Sequence, residues 1–291
     1  DTDIPEVLPT GICTYEHVVA NVPHDEIVQK SVEVRGLKVT VSTIDIPLSF
    51  GPAYEGERVR GADLYAQTGG GKTQCTELVK MAEMNEIEDG KVDIVGPDIA
   101  DVKEGGTFPL GIYVQIAGRE FQTDFEPIIE RQIHHLINYI QGIMHIGQRD
   151  ISWVRISKAA IDKGFTLKDI GVVLHAKFHQ DFQKIIDKVQ VTLYTNKKDV
   201  DALTKRARGE YKLRDERVEK MTDEDVETYY SCTLCQSFAP NHVCSVSPER
   251  TGLCGAYNWM DCKASFEINP TGPNQPIEKG ECLDPVLGQW K

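Results

Sequence analysis

Four cysteines fall in one short run near the end of the chain, Cys232, Cys235, Cys244 and Cys254, spaced Cys-x2-Cys-x8-Cys-x9-Cys. The first pair can set two sulfurs on one side of a tight turn. Pro240, Pro248 and Gly252 supply the bends that fold the later two back toward them. Four thiolates gathered this way suit a tetrahedral zinc or a 4Fe-4S cluster, because soft sulfur donors select those metals. Disulfides are the third option. They are disfavoured because 8 Cys in 291 residues is sparse for a stapled secreted scaffold and the chain opens at Asp1 without an apolar leader. A reducing, cytoplasmic setting is therefore expected. Zinc ribbons usually carry two short Cys-x-x-Cys knuckles, and this run has only one, which favours a cluster loop.

Other candidate chemistry is weaker. Ala66-Gln-Thr-Gly69-Gly70-Gly71-Lys72-Thr73 meets the loosest form of a phosphate loop, but the preceding Glu57–Tyr65 stretch is too polar for the buried strand such a loop requires. A glycine turn leading into a helix over 73–84 is the expected structure. His134 and His135 are adjacent on a predicted helix and point about 100° apart, so they cannot share a metal. His175 and His179 flank an apolar run read as a strand over 170–178, where four residues separate them by ~13 Å, so no joint metal role is expected. Trp153 and Arg155 project from one face of a predicted strand over 151–156, where an indole and a guanidinium could meet a ligand together.

The elements that must position these groups alternate between strand and helix. Val32 to Val41 alternates apolar and polar residues and reads as one or two strands, and residues 92–95, 110–116 and 189–194 read as further strands. Pro127 opens a helix whose Ile128, Ile129, Ile133, Leu136, Ile137 and Ile140 form one apolar face. Short helices are expected over 158–163 and 180–187, and a polar helix from about 198. This order implies an α/β layered domain with a largely parallel sheet, followed by a smaller, loop-rich α+β metal-cluster domain. The expected boundaries are an entry linker over 1–30, the α/β domain over 31–204 and the cluster domain over 205–291.

Composition removes several functions. The net charge of −13, from 45 acidic and 32 basic residues, repels nucleic acid over most of the surface. No apolar stretch is long enough to span a bilayer, so no membrane partner is expected. Cys13 and Cys75 read as small hydrophobes. Cys262 and Cys282 lie close enough to the quartet to be spare ligands.

The runs Cys-Thr-Leu-Cys-Gln-Ser-Phe-Ala-Pro-Asn-His-Val-Cys and Ser-Pro-Glu-Arg-Thr-Gly-Leu-Cys-Gly-Ala-Tyr-Asn-Trp-Met-Asp-Cys-Lys-Ala, followed by Asn-Pro-Thr-Gly-Pro-Asn-Gln-Pro, strongly resemble acetyl-CoA synthase, the nickel subunit of the carbon monoxide dehydrogenase/acetyl-CoA synthase complex. The resemblance implies that Cys232, Cys235, Cys244 and Cys254 hold the 4Fe-4S half of the active-site cluster. It implies that Cys235 also bridges to the proximal nickel and that Phe238 places an aromatic ring over that nickel. It sets Trp153 and Arg155 in the cleft where coenzyme A arrives, and gives Cys262 and Cys282 no ligand role. The implied activity joins CO, a corrinoid-borne methyl group and coenzyme A. The implied partners are the carbon monoxide dehydrogenase subunit and a corrinoid iron-sulfur protein.

One departure is large. The family completes its site with a Cys-Gly-Cys tripeptide that supplies a square-planar pocket for the distal nickel, and no Cys-x-Cys occurs here. The chain is therefore expected to be an internal piece, or the ordered part, of a longer enzyme and inactive alone. An electron-transfer iron-sulfur module and a structural zinc-binding interaction module are the rival readings of the same four cysteines.

Overall fold

A computed structural model describes residues 44–55, 58–149, 151–237, 239–284 and 289–290. The entry linker and the strands expected over 32–41 lie outside the described residues. In chain order the elements are β1 (Leu64–Gly69), β2 (Cys75–Met81), β3 (Val92–Val95), β4 (Gly106–Thr107), β5 (Leu110–Ala117), α1 (Glu126–Asn138), β6 (Ile143–Gln148), β7 (Ile151–Ser157), α2 (Lys158–Asp162), α3 (Leu167–Phe182), β8 (Lys188–Tyr194) and α4 (Lys197–Glu219). The cysteine segment adds β9 (Thr228–Cys232), β10 (Cys244–Val246), α5 (Trp259–Ile268), β11 (Pro276–Glu278), β12 (Cys282–Asp284) and β13 (Gln289–Trp290). Among the described residues no helix is long and apolar enough to cross a membrane.

The expected α/β layering is the one observed. One sheet has the order β4-β1-β7-β6 and another β2-β5-β8-β3. Both mix directions: β1 with β4, β2 with β5 and β3 with β8 are parallel pairs, and the rest are antiparallel. Ile129, Ile133 and Ile137 of α1 are fully buried in a core shared by the inner faces of both sheets. The outer face of the second sheet is covered by α4, whose Leu203, Ala207 and Tyr211 pack on Leu78 and Tyr113. That helix is unbroken through residue 205.

Strand β2 is an edge of its sheet, and two of its outward N–H groups are met by carboxylates of α1. Val79 N donates to Glu130 Oε2 at 3.0 Å and Met81 N to Glu126 Oε1 at 2.9 Å. Arg214 of α4 bonds to both carboxylates and Lys80 to Glu126, so the buried negative charge is compensated. Burial still holds the Glu130 carboxyl above its ordinary range, against the lowering effect of Arg214.

Three expectations are corrected, the least of them the separate helix expected over 180–187, which is the end of α3 followed by a turn. The helix expected over 73–84 is strand β2, because the run alternates: Cys75 and Val79 enter the central core while Leu78 enters the α4 layer. The glycine turn thus joins two strands and has no helix N-terminus to offer a phosphate. The strand expected over 170–178 is part of helix α3. Leu167, Ile170, Val173, Leu174 and Phe178 are buried at helical spacing, and a Thr166–Asp169 capping box starts the helix. Gly171 fits there because a Cβ would come within 2.4 Å of Val92, so its absence lets α3 lie against β3.

Candidate metal centre

The cysteine segment is built on a small antiparallel sheet of order β10-β9-β11. In its register Cys244 stands directly opposite Cys232. Opposed residues share a face with Cβ atoms about 5 Å apart, so the two thiols are neighbours although 12 positions separate them in sequence. Cys235 sits on the 3-10 turn Leu234–Ser237 that leaves β9, half-buried. Cys254 is exposed on the loop before α5. Tyr230 and Val246, two residues along from Cys232 and Cys244, share their face of the sheet, and Cys262 packs in the same cluster with Tyr257, Trp259 and Phe266 around it.

Each of three sulfurs has a nitrogen near it. Ala256 N donates to Cys254 Sγ at 3.4 Å, and His242 Nε2 lies 3.2 Å from Cys244 Sγ. Burial raises the Cys232 thiol above its ordinary range, opposed by hydrogen bonds from Leu234 N and the Asn274 side chain; the charges of Cys244 and Cys254 raise it further. N–H groups aimed at sulfur stabilise thiolates and tune the clusters they hold. A single tetrahedral zinc at 2.3 Å from each sulfur needs sulfurs roughly 3.8 Å apart. Among the described residues no three of these cysteine sulfurs gather within 4.8 Å of one another. Four soft sulfur donors of this kind suit zinc and iron-sulfur centres alike.

Cys262 is different. It is fully buried, accepts from Asn274 Nδ2 at 3.2 Å, and its thiol is pushed well above the ordinary range, first by burial. Cys282 belongs to β12, and Phe238 lies outside the described residues. Cys75 is buried on β2, where its sulfur meets Ser152 Oγ at 2.8 Å.

The loop after Cys254 is clamped from the opposite layer. Arg131 of α1 bonds to Asp261 Oδ2 at 2.8 Å and to Ala256 O, and its guanidinium stacks over the Tyr257 ring at 4.2 Å. Asp261 in turn caps α5 by accepting from Asn258 N at 3.1 Å. A cavity of about 110 Å³ beside this clamp is lined by Gly255, Ala256, Arg131, Arg149, Arg214 and Glu77 among others. No local motif marks the clamp, because its partners are 125 to 130 positions apart.

Trp153 and Arg155 do share a face of β7, with the Arg155 guanidinium 5.4 Å from the Trp153 ring. Trp153 Nε1 and Arg155 Nε are buried without a hydrogen-bond partner among the described residues. The glycine turn packs on this pair: Gly70 has φ +61°, and a Cβ there would come within 2.9 Å of the Trp153 ring.

Behind the cavity, Glu77 is bonded to His145 and accepts from Ser152 Oγ at 3.0 Å, all three buried. His134 stacks near His145, with ring centroids 6.2 Å apart. Burial first, then the charges of His135 and His145, lower the His134 pKa to about 4. In the unfolded chain it sits near 6.5, so between those values the unfolded state binds more protons and acid destabilises the fold. Acidifying from pH 6.5 to 4 is expected to cost about 1–2 kcal/mol through His134, after discounting the shift for its partial exposure. Urea unfolding across that window, repeated with His134→Gln, checks it: the variant should lose less stability over this range than the parent.

Comparison with known proteins covers nearly all the described chain. Residues 46–200 match the family described as CO dehydrogenase/acetyl-CoA synthase complex beta subunit, and residues 211–291 match the family of the C-terminal part of the ACS/CODH beta subunit. The carbon monoxide dehydrogenase/acetyl-CoA synthase subunit alpha of Moorella thermoacetica is 52% identical over 92% of this chain and 37% of its own length. The acetyl-CoA decarbonylase/synthase complex subunits beta of Methanopyrus kandleri and Methanothermobacter thermautotrophicus are each 45% identical, over 86% and 84% of this chain and 54% and 53% of their own lengths. The chain spans about half, or less, of the length of these relatives.

Proposed function

The chain belongs to the CO dehydrogenase/acetyl-CoA synthase complex beta subunit family, and on that premise we propose that it carries the cysteine-bound half of an acetyl-CoA synthase centre. In this reading Cys232, Cys235, Cys244 and Cys254 hold a 4Fe-4S cluster and Cys235 also bridges to nickel; when bound, that group supplies soft metal positions for joining CO, a methyl group and a thiol into acetyl-CoA. The observation that carries the reading is the β9–β10 register, with Cys232 opposite Cys244 and N–H donors turned toward the sulfurs. Phe238 enters on the resemblance alone, as the ring beside Cys235. Coenzyme A, CO, a corrinoid iron-sulfur protein and the carbon monoxide dehydrogenase subunit are the proposed substrates and partners.

The test is direct. Chain purified without oxygen should be brown and hold roughly four iron atoms, as a single 4Fe-4S cluster requires. A colourless protein with one zinc would overturn the reading.

The role of the chain's other residues is to hold the centre and receive coenzyme A. The clamp of Arg131 on Ala256 and Asp261 fixes the loop that bears Cys254. Trp153 and Arg155 are proposed to receive coenzyme A. Arg155 has no carboxylate partner among the described residues, and two donors of the pair are unmet. In the full-length enzyme Arg155→Ala should weaken coenzyme A binding by about 1–3 kcal/mol, the range for a charged hydrogen bond, and leave iron and nickel content unchanged. Quenching of Trp153 fluorescence by coenzyme A gives the affinity, and an unchanged value would assign Arg155 to holding the sheet.

A further inference from the structure

As a helix, α3 brings together three groups that a strand would keep apart. His175 and His179 lie one helical turn apart on the same face, the spacing at which two imidazoles can reach one ion. Their rings are 4.7 Å apart at 67°, and both turn Nε2 toward Asp89. Asp89 stands on the turn before β3, and its Oδ1 is 3.1 Å from His175 Nε2 and 2.7 Å from His179 Nε2. The three ligand atoms lie within 4.8 Å of one another.

The carboxylate is held for this task by backbone. Val189 N at the start of β8 donates to Asp89 Oδ1 at 2.9 Å, and Gly90 N donates to Val189 O at 3.0 Å. Gly90 has φ +77°, a left-handed conformation that favours glycine and lets the chain turn from Asp89 into β3. The side chains of His175, His179 and Asp89 are 30%, 29% and 41% exposed, which leaves one side of the group open to water. Asp187 nearby is bonded by Arg119, and its carboxylate also feels the charge of His179.

We propose that Asp89, His175 and His179 form a second metal site, distinct from the cysteine quartet, that takes one zinc-class divalent ion with water in the fourth position. Two imidazoles and one carboxylate are the donor set of zinc and its borderline neighbours, whereas calcium and magnesium select all-oxygen sites. Tetrahedral coordination at about 2.05 Å sets ligand atoms about 3.3 Å apart, so the observed group needs only a small outward shift as the ion replaces the N–H bridges. The ion would pin the last turns of α3 to the turn before β3 and the start of β8. Just beyond, Asp181 to Ile185 line a groove of about 510 Å³ together with Leu234, Tyr257 and Pro273 of the cysteine segment. The site thus fixes the helix end that forms one wall of that groove.

Hydrogen exchange by mass spectrometry of the full chain, with and without added Zn2+, locates binding by peptide and so separates this site from the cysteines. Peptides spanning 86–92 and 173–190 should exchange about tenfold more slowly when free Zn2+ is ten times its Kd, because an ion that binds only the closed form slows opening in proportion. His175→Ala and His179→Ala should each abolish that slowing. Asp89→Asn is the decisive variant: it keeps an oxygen acceptor for both imidazoles but removes the charge, so it should also lose the Zn2+ effect while exchange without metal stays near the parent's. Peptides spanning 228–262 should respond to metal alike in all four proteins. The proposal is overturned if the parent shows no Zn2+-dependent slowing in 86–92 and 173–190, or if Asp89→Asn retains it in full.

Discussion

Replacing Cys232, Cys244 or Cys254 with Ala is expected to strip the chain of most of its iron. The three residues come from β9, β10 and the loop before α5, and few backbone hydrogen bonds join that loop to the sheet. In the proposed reading ligation adds to the Arg131 clamp in closing the segment. Binding free energy at such a site is also folding free energy, so each variant should also unfold the cysteine segment at lower denaturant than the parent. Iron analysis and visible absorption on protein purified without oxygen read the first effect, and exchange protection over residues 228–262 reads the second. Cys262→Ala is the contrasting case: that thiol is fully buried beside Cys232 and is taken by Asn274, and the resemblance gives it no ligand role, so the variant should keep its iron and lose only packing, about 1 kcal/mol. Full iron in all three ligand variants would refute the assignment.

Arg131→Ala should be the most damaging single change outside the cysteines. It removes the ion pair to Asp261, the hydrogen bond to Ala256 O and the stacking on Tyr257 at once, and leaves Asp261 buried without its cation. Breaking one side of a buried pair costs about 3–5 kcal/mol, against at most about 1 kcal/mol for an exposed pair such as Lys197–Asp201. Arg131→Lys should recover little, because a point charge cannot reproduce the planar fork or the stacking. Denaturant unfolding of the two variants, with exchange of residues 252–262, measures the cost. Stability within about 0.5 kcal/mol of the parent would show that the clamp is incidental to holding the loop.

How much of the fold and the site is legible in the sequence depends on how far apart the partners lie. The isoleucines of α1 repeat at helical spacing and Pro127 marks the start, so that helix and its buried face follow from local pattern. The cysteine quartet is legible for the same reason, since its spacing is itself local. Helix α3 reads as a strand because Gly171, Val172 and Val173 look like a strand core, although Ile170, Val173, Leu174 and Phe178 already carry the helical period. Strand β2 misleads in the opposite sense, its glutamate and lysine content outweighing its alternation. The Arg131 clamp has no local signature at all, and for the Asp89–His175–His179 group only the His175–His179 spacing is local, which misleads once α3 is read as a strand. Their members meet only because α1 and α3 are laid down between the sheets, a tertiary event that spacing along the chain does not encode.

The carboxylates that meet β2 also bear on how the molecule fails. An open sheet edge is a template on which another extended chain can add, and Glu126 and Glu130 occupy the N–H positions such a chain would use. That protection lasts only while α1 stays seated. Any partial opening that lifts α1 uncovers, in one event, the β2 edge and the isoleucine face that rested between the sheets. The first species to clump on heating is then a nearly folded molecule joined edge to edge with its copies, and a lysine added on that edge would delay clumping more than it would raise the melting temperature.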